Sequence, residues 1–224
     1  MARALCFDMY GTLCDTTTVT ARLAAELDAS GAVVDGVEAL WRERQLRYST
    51  HAALMDAYEP FWDLTSRGLD YALAVYGLDP DSATRRRILE AYDELDPFPD
   101  AAETLRRLSD AGRELVVLSN GDPAMLDRLA ENAGLTDHLD GIVSADEVAT
   151  FKPDPAVYEH AADRLDRSVG DCRLVSSNAW DVAGAGAAGM RTAWVNRRND
   201  PPEELGADPD VELASLAELP DTVV

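Results

Sequence analysis

Lysine is almost missing from this chain: one of 224 residues, Lys152, carries an ammonium, against nineteen arginines. Basic side chains total 20 and acidic ones 42, leaving a formal net charge of −22, which excludes nucleic acid and anionic membrane as partners. Histidine is confined to His51, His138 and His160, so no Ser-His-Asp set stands out. The three cysteines, Cys6, Cys14 and Cys172, are odd in number and lack metal-ligand spacing, which points to reduced thiols. No apolar run is long enough to span a bilayer, and Asp8 interrupts the short apolar start. Neither a membrane span nor a signal peptide is expected, and the expected location is the cytoplasm.

The acids that are present, 27 Asp and 15 Glu, recur in nearly every block of ten, while 46% of the residues are hydrophobic. That combination describes a folded protein with an acidic skin, not a disordered acidic tail. Self-repulsion of such a skin opposes compactness in dilute buffer, but near 1 M salt the screening length falls to about 3 Å. Acid excess with lysine depletion therefore reads as adaptation to a salt-rich, haloarchaeal type of cytoplasm.

Five apolar, β-branched runs have the character of buried parallel strands: ALCF at 4–7, LVVL at 115–118, GIVSA at 141–145, RLVS at 173–176 and TAWVN at 192–196. Helical patterns lie between most of them. Asp122 and Pro123 read as a helix start followed by the stripe Leu126, Leu129, Ala130 and Ala133, and Asp154 and Pro155 repeat that start before Tyr158, Ala161, Ala162 and Leu165. The alternation predicts an α/β, Rossmann-like doubly wound parallel sheet. Residues 15–97 break it. They read as amphipathic helices, with Trp62, Thr65, Leu69, Ala72, Leu73 and Tyr76 at helical spacing, and hold eight of the fifteen aromatic residues. The expected organisation is a core made of 1–14 and 98–224, with a helical cap of 15–97 inserted after the first strand.

Polar residues follow the strand-like runs: Asp8, then Ser119 and Asn120, then Lys152, then Ser176 to Asp181. In an open parallel sheet the carboxyl ends of the strands form the ligand crevice, so these clusters converge on one side. Each alone has a plain structural explanation, as a turn residue, a helix entry or a first-turn carboxylate. Together they place a carboxylate, hydroxyls, amides and one ammonium where a substrate would sit, an inventory that suits a carboxylate nucleophile.

The stretches DMYGTLCD at 8–15, LSNG at 118–121, FKPD at 151–154 and SSNAWD at 176–181 resemble the four motifs of the haloacid dehalogenase superfamily in its L-2-haloacid dehalogenase branch. LWRERQLRYS at 40–49 and WVNR at 194–197 extend the resemblance. It implies that Asp8 attacks the halogen-bearing carbon of a small anionic 2-haloacid, forming an ester that water then hydrolyses. Lys152 would lie beside Asp8, Thr12 would orient it, and Asn178 and Asp181 would position Lys152 and the water, supported by Ser176 and Tyr158. Ser119, with the backbone N–H groups after Asp8, would bind the substrate carboxylate. Arg42 and Asn120, with Phe61 as an apolar wall, would receive the halide; Met9, Tyr10 and Trp180 complete the implied substrate-binding set. Taken alone, Arg42 could be one member of a charged helix face and Phe61 and Trp180 ordinary core aromatics. The resemblance further implies a homodimer.

Phosphatases of the same superfamily usually carry a second aspartate two places after the nucleophile, and an acidic fourth motif that holds Mg²⁺. Here those places hold Tyr10 and Ser176, Ser177 and Asn178. A halide needs no proton to leave, which suits Tyr10, and the neutral Ser176, Ser177 and Asn178 argue against a metal, so the expectation is a metal-free and cofactor-free enzyme. A Mg²⁺-dependent phosphomonoesterase is the alternative enzyme, and a catalytically silent scaffold the alternative of another class.

Overall fold

The computed structural model describes residues 4–223. Its chain order is β1 (Ala4–Phe7), α1 (Thr18–Glu26), α2 (Gly31–Leu54), α3 (Phe61–Val75), α4 (Ser82–Glu90), α5 (Ala101–Asp110), β2 (Glu114–Ser119), α6 (Pro123–Asn132), β3 (Gly141–Ser144), α7 (Pro155–Arg164), β4 (Cys172–Ser176), α8 (Ala179–Ala187), β5 (Arg191–Val195), β6 (Val211–Leu213) and α9 (Leu219–Val223). The strands form one parallel sheet in the order β3-β2-β1-β4-β5-β6. With β2 on one side of β1 and β4 on the other, the order reverses beside β1, the place where an open α/β sheet has its crevice.

All of β1 is buried, because both sheet faces are covered. Leu5 and Phe7 join the larger core, together with Leu115 and Val117 of β2 and the apolar faces of the inserted helices. Ala4 and Cys6 turn to the smaller core under α7, with Val116, Leu118, Tyr158 and Ala161. The period of two along each strand thus splits the interior into two layers, each large side chain contributing about 1.5–3 kcal/mol by leaving water.

Helices α1 to α4 lie between β1 and β2 as the sequence pattern requires. The two crossings of the chain run side by side: Asp15 N donates to Asp96 O at 2.8 Å and Phe98 N to Leu13 O at 2.9 Å. Helix α2 packs on α3 at Gly68, where a Cβ would meet the Trp41 ring at 3.2 Å and the Gln45 backbone at 3.3 Å. The contact is fixed by Trp41 Nε1 donating to Thr65 O (2.8 Å) and Gln45 Nε2 to Thr65 Oγ1 (2.7 Å). Of the expected α3 stripe, Thr65, Leu69, Ala72 and Leu73 are buried, whereas Tyr76 lies past the helix end and is 40% exposed.

Asp154 caps α7 by accepting from Ala156 N at 2.9 Å. Asp122 does not cap α6, although Pro123 opens that helix as expected. Its carboxylate serves another element instead, accepting from Phe61 N (2.7 Å) and Trp62 N (3.1 Å) at the start of α3. Pro60 precedes that helix and offers no side-chain cap, so two N–H donors there needed a remote acceptor. The small-residue tract at 184–189 also has a packing cause, since a Cβ on Gly184 would fall 2.4 Å from Pro153 Cβ.

Candidate active site

Asp8 is the first residue beyond β1, and its backbone N–H still pairs with Val175 O at 3.0 Å, so the sheet fixes its position. The chain then turns back on itself, with Leu13 N and Cys14 N both donating to Met9 O. Gly11 stands in this turn at φ +83°, a conformation glycine adopts without steric cost. The turn delivers Thr12 Oγ1 to Asp8 Oδ2 at 3.1 Å, and Ser177 N donates to the same hydroxyl at 2.9 Å.

From β4 and the start of α8 come two more donors to the same oxygen: Asn178 Nδ2 at 2.8 Å and Ser176 Oγ at 3.5 Å. Asp8 Oδ1 is treated differently, with Lys152 Nζ at 3.2 Å as its bonded partner among the described residues. The ammonium also donates to Asp181 Oδ2 at 2.9 Å, while Tyr158 OH donates to Asp181 Oδ1 at 2.7 Å. Lys152 is 2% exposed and Asp181 fully buried. Burial alone would lower the lysine pKa, but Asp181 and Asp8 outweigh it and hold the group above its ordinary value, charged. Burial pushes the Asp181 carboxyl up, Lys152 pulls it back, and Asp8 adds to the rise.

These groups face a cavity of about 30 Å³ lined by Asp8, Tyr10, Arg42, Phe61, Ser119, Asn120, Lys152, Asn178 and Trp180, all expected from the sequence. Asn120 Oδ1 accepts from Lys152 N at 2.8 Å, which leaves its amide N–H groups for the cavity. Arg42 on α2 donates to Thr16. Ser176, Asp181, Tyr158 and Thr12 stand behind the lining and act on it through the bonds given above. The Met9 side chain does not reach the cavity. It is buried in the larger core against Cys14 Sγ at 3.7 Å, so of its groups only the backbone N–H is left for a substrate. Neither that N–H nor the one of Tyr10 donates to an acceptor among the described residues. The Tyr10 hydroxyl is likewise buried without a partner, and burial foremost pushes its pKa well up, so it is a neutral phenol.

Thr16, Gln45, Leu46 and Tyr92 also line the cavity and were not anticipated. A signal existed for two of them, because Gln45 and Leu46 lie three and four places after Arg42 and share its helix face. Thr16, Arg42 and Asn178 border a second, larger cavity of about 390 Å³ that opens beside the first.

Among the described residues no group of three or more His, Cys, Asp or Glu is disposed to hold a metal ion. No described helix is long and apolar enough to cross a membrane. A sequence model of haloacid dehalogenase-like hydrolases matches residues 2–189. (S)-2-haloacid dehalogenase 1 of Pseudomonas sp. (strain CBS-3) is 44% identical over 218 residues, spanning 97% of this chain and 95% of the relative. A crystal structure of a dehalogenase with an intermediate complex superposes with a TM-score of 0.92 at 42% identity, over 97% of this chain and 95% of that one. The L-2-haloacid dehalogenase of Xanthobacter autotrophicus with chloropropionic acid covalently bound gives 0.90 at 34% identity, over 100% and 98%.

Proposed function

The chain belongs to the haloacid dehalogenase-like hydrolases, and from that membership and its site we infer that it hydrolyses L-2-haloalkanoic acids to D-2-hydroxy acids and halide. The observation that carries this reading is the asymmetry of Asp8. Its Oδ2 is held by Thr12, Asn178 and Ser176, whereas Oδ1 has the Lys152 ammonium as its bonded partner among the described residues, and Asp8 lines the cavity. A carboxylate arranged in this way is a nucleophile through one oxygen.

In the first step Oδ1 attacks the carbon bearing the halogen from the side opposite the halide. The C–O bond forms as the carbon–halogen bond breaks, which inverts the centre and leaves an ester. The substrate carboxylate is received by Ser119 and the free N–H groups of Met9 and Tyr10; the departing halide is received by Arg42 and the Asn120 amide, with Phe61 and Trp180 as apolar walls. Tyr10, a neutral phenol, stands where a phosphatase would hold its proton-donating acid, and halide departure requires no proton.

In the second step water adds to the aspartyl carbonyl. The negative charge then develops on Oδ2, where three donors already wait, so the same bonds that orient the nucleophile stabilise the tetrahedral intermediate. Lys152 and Asp181 position the water and the Asp181 carboxylate accepts its proton. Collapse of the intermediate expels the alkoxide of the hydroxy acid, which takes that proton up, while the second proton of the water leaves to solvent. Asp8 is regenerated.

The helical insertion acts in this reading as a cap that carries Arg42 and Phe61 over the core. Its boundaries at 15–97 are supported by the paired crossings at Asp15 and Asp96. The active species is a cytoplasmic homodimer in the same reading. The decisive experiment incubates the protein in molar KCl and EDTA with racemic 2-bromopropionate. Bromide with D-lactate, from the L-enantiomer alone, is the expected result. Silence from folded protein, with phosphomonoester cleavage once Mg²⁺ is supplied, would replace this reading by the phosphatase one.

Net charge adds a second expectation. A −22 protein repels a carboxylate substrate, and salt screens that repulsion. On protein shown to be folded throughout, kcat/KM is expected to rise as KCl is raised toward 2 M; a steep fall would remove the salt-adapted reading.

A further inference from the structure

The Asp122 carboxylate is the odd member of the loop that follows β2. Ser119 at the end of β2 and Asn120 just after it line the cavity, whereas Asp122 turns away from its own helix and spans to the inserted one. It accepts from Phe61 N at 2.7 Å through Oδ1 and from Trp62 N at 3.1 Å through Oδ2. Phe61 is 3% exposed and forms a wall of the cavity.

The loop itself is held at both ends. Ser144 Oγ donates to Gly121 O at 2.6 Å, and Asn120 Oδ1 accepts from Lys152 N at 2.8 Å. Gly121 lies so close to the nucleophile turn that a Cβ there would come within 2.9 Å of the Tyr10 hydroxyl. The anchor of Phe61 is therefore rigidly tied to the residues that surround the leaving group. Among the described residues no other side chain caps the start of α3.

We propose that Asp122 is a positioning residue for the reaction: it fixes Phe61 against the halide-receiving groups and so sets the distance of the apolar wall from the reacting carbon. This rests on the dehalogenase reading and adds to it a residue that touches neither substrate nor nucleophile. Cap and core are joined by this carboxylate at the edge of the reaction space, so its loss frees the wall without removing it. The chemistry then suffers because a wall that drifts admits water to the departing halide and weakens the donors around it.

The test is a double-mutant cycle of Asp122→Ala and Phe61→Ala, with Asp122→Asn as the conservative variant that keeps one carbonyl acceptor for Phe61 N. Bromide release from L-2-bromopropionate gives kcat and KM for each, on protein whose folded fraction is set by circular dichroism. Asp122→Ala is expected to lower kcat/KM on the order of tenfold, the scale of a lost charged acceptor, with kcat falling and not KM alone. Asp122→Asn should recover most of it, and Asp122→Ala should cost less than about twofold once Phe61 is already alanine. The proposal is overturned if folded Asp122→Ala turns over like wild type with only a lower melting temperature, or if the two substitutions are additive. Should Asp122→Ala not fold, Asp122→Leu, which keeps the volume but removes both acceptors, decides by the same cycle. A wild-type protein that releases no bromide would sink the dehalogenase reading first and this proposal with it, an outcome distinct from an active wild type with an indifferent Asp122.

Discussion

Exchanging Lys152 for arginine is expected to lower kcat on the order of a thousandfold, although the charge is kept. The ammonium is a compact donor that reaches Asp8 Oδ1 at 3.2 Å and Asp181 Oδ2 at 2.9 Å from a position 2% exposed to solvent. A guanidinium is planar and longer, and its fork cannot direct two donors at carboxylates lying on different sides of one nitrogen. Room is short as well, because the chain beside Lys152 packs so closely that Gly184 has no space for a Cβ next to Pro153. Misplacing one preorganised donor in a buried site costs about 10² to 10³ in rate, and here the same group also holds Asp181 in place. Bromide release under saturating substrate measures the effect, with circular dichroism to confirm the fold. An arginine variant within tenfold of wild type would mean that charge alone suffices, and the reason for retaining one lysine in an arginine-only background would be lost.

Asp8→Asn is expected to reduce turnover more than about ten-thousandfold, since the amide oxygen lacks the charge that makes a carboxylate nucleophilic. Binding should move the other way. The cavity then holds Lys152 and Arg42 with one fewer anion, so a substrate carboxylate meets less repulsion and its Kd should fall. Calorimetry with L-2-bromopropionate on the inactive variant reads that directly. Weaker binding with retained bromide release would show that Asp8 serves to hold substrate and that another group attacks the carbon.

Much of this was legible without coordinates, for identifiable reasons. Strands β1 to β5 announce themselves because a parallel strand covered on both faces must be apolar throughout, and the polar residues that follow each run mark its carboxyl end. Strand β6 escaped because it is three residues long at the sheet edge, with Val211 and Glu212 only partly covered or exposed. Asp8, Lys152 and Asp181 could be placed on one side of the sheet from strand order alone. Arg42 and Phe61 could not, since their location depends on how the inserted helices rest on the core, and only resemblance to a known family suggested them. The helix start at Asp122 and Pro123 is found where local rules put it, but those rules could not show that the Asp122 carboxylate serves a distant helix, where Pro60 left two donors uncapped.

The burial of Lys152 has a practical counterpart in reagent chemistry. Acylating labels and amine-coupled supports rely on surface lysines, and the native fold presents none, because its single ε-amine is shut between two carboxylates. Unfolding releases that amine, so lysine acylation marks the denatured chain and spares the native one. Attachment that leaves the site intact can go through the acidic side chains, of which the chain has 42, provided Asp8 and Asp181 are spared.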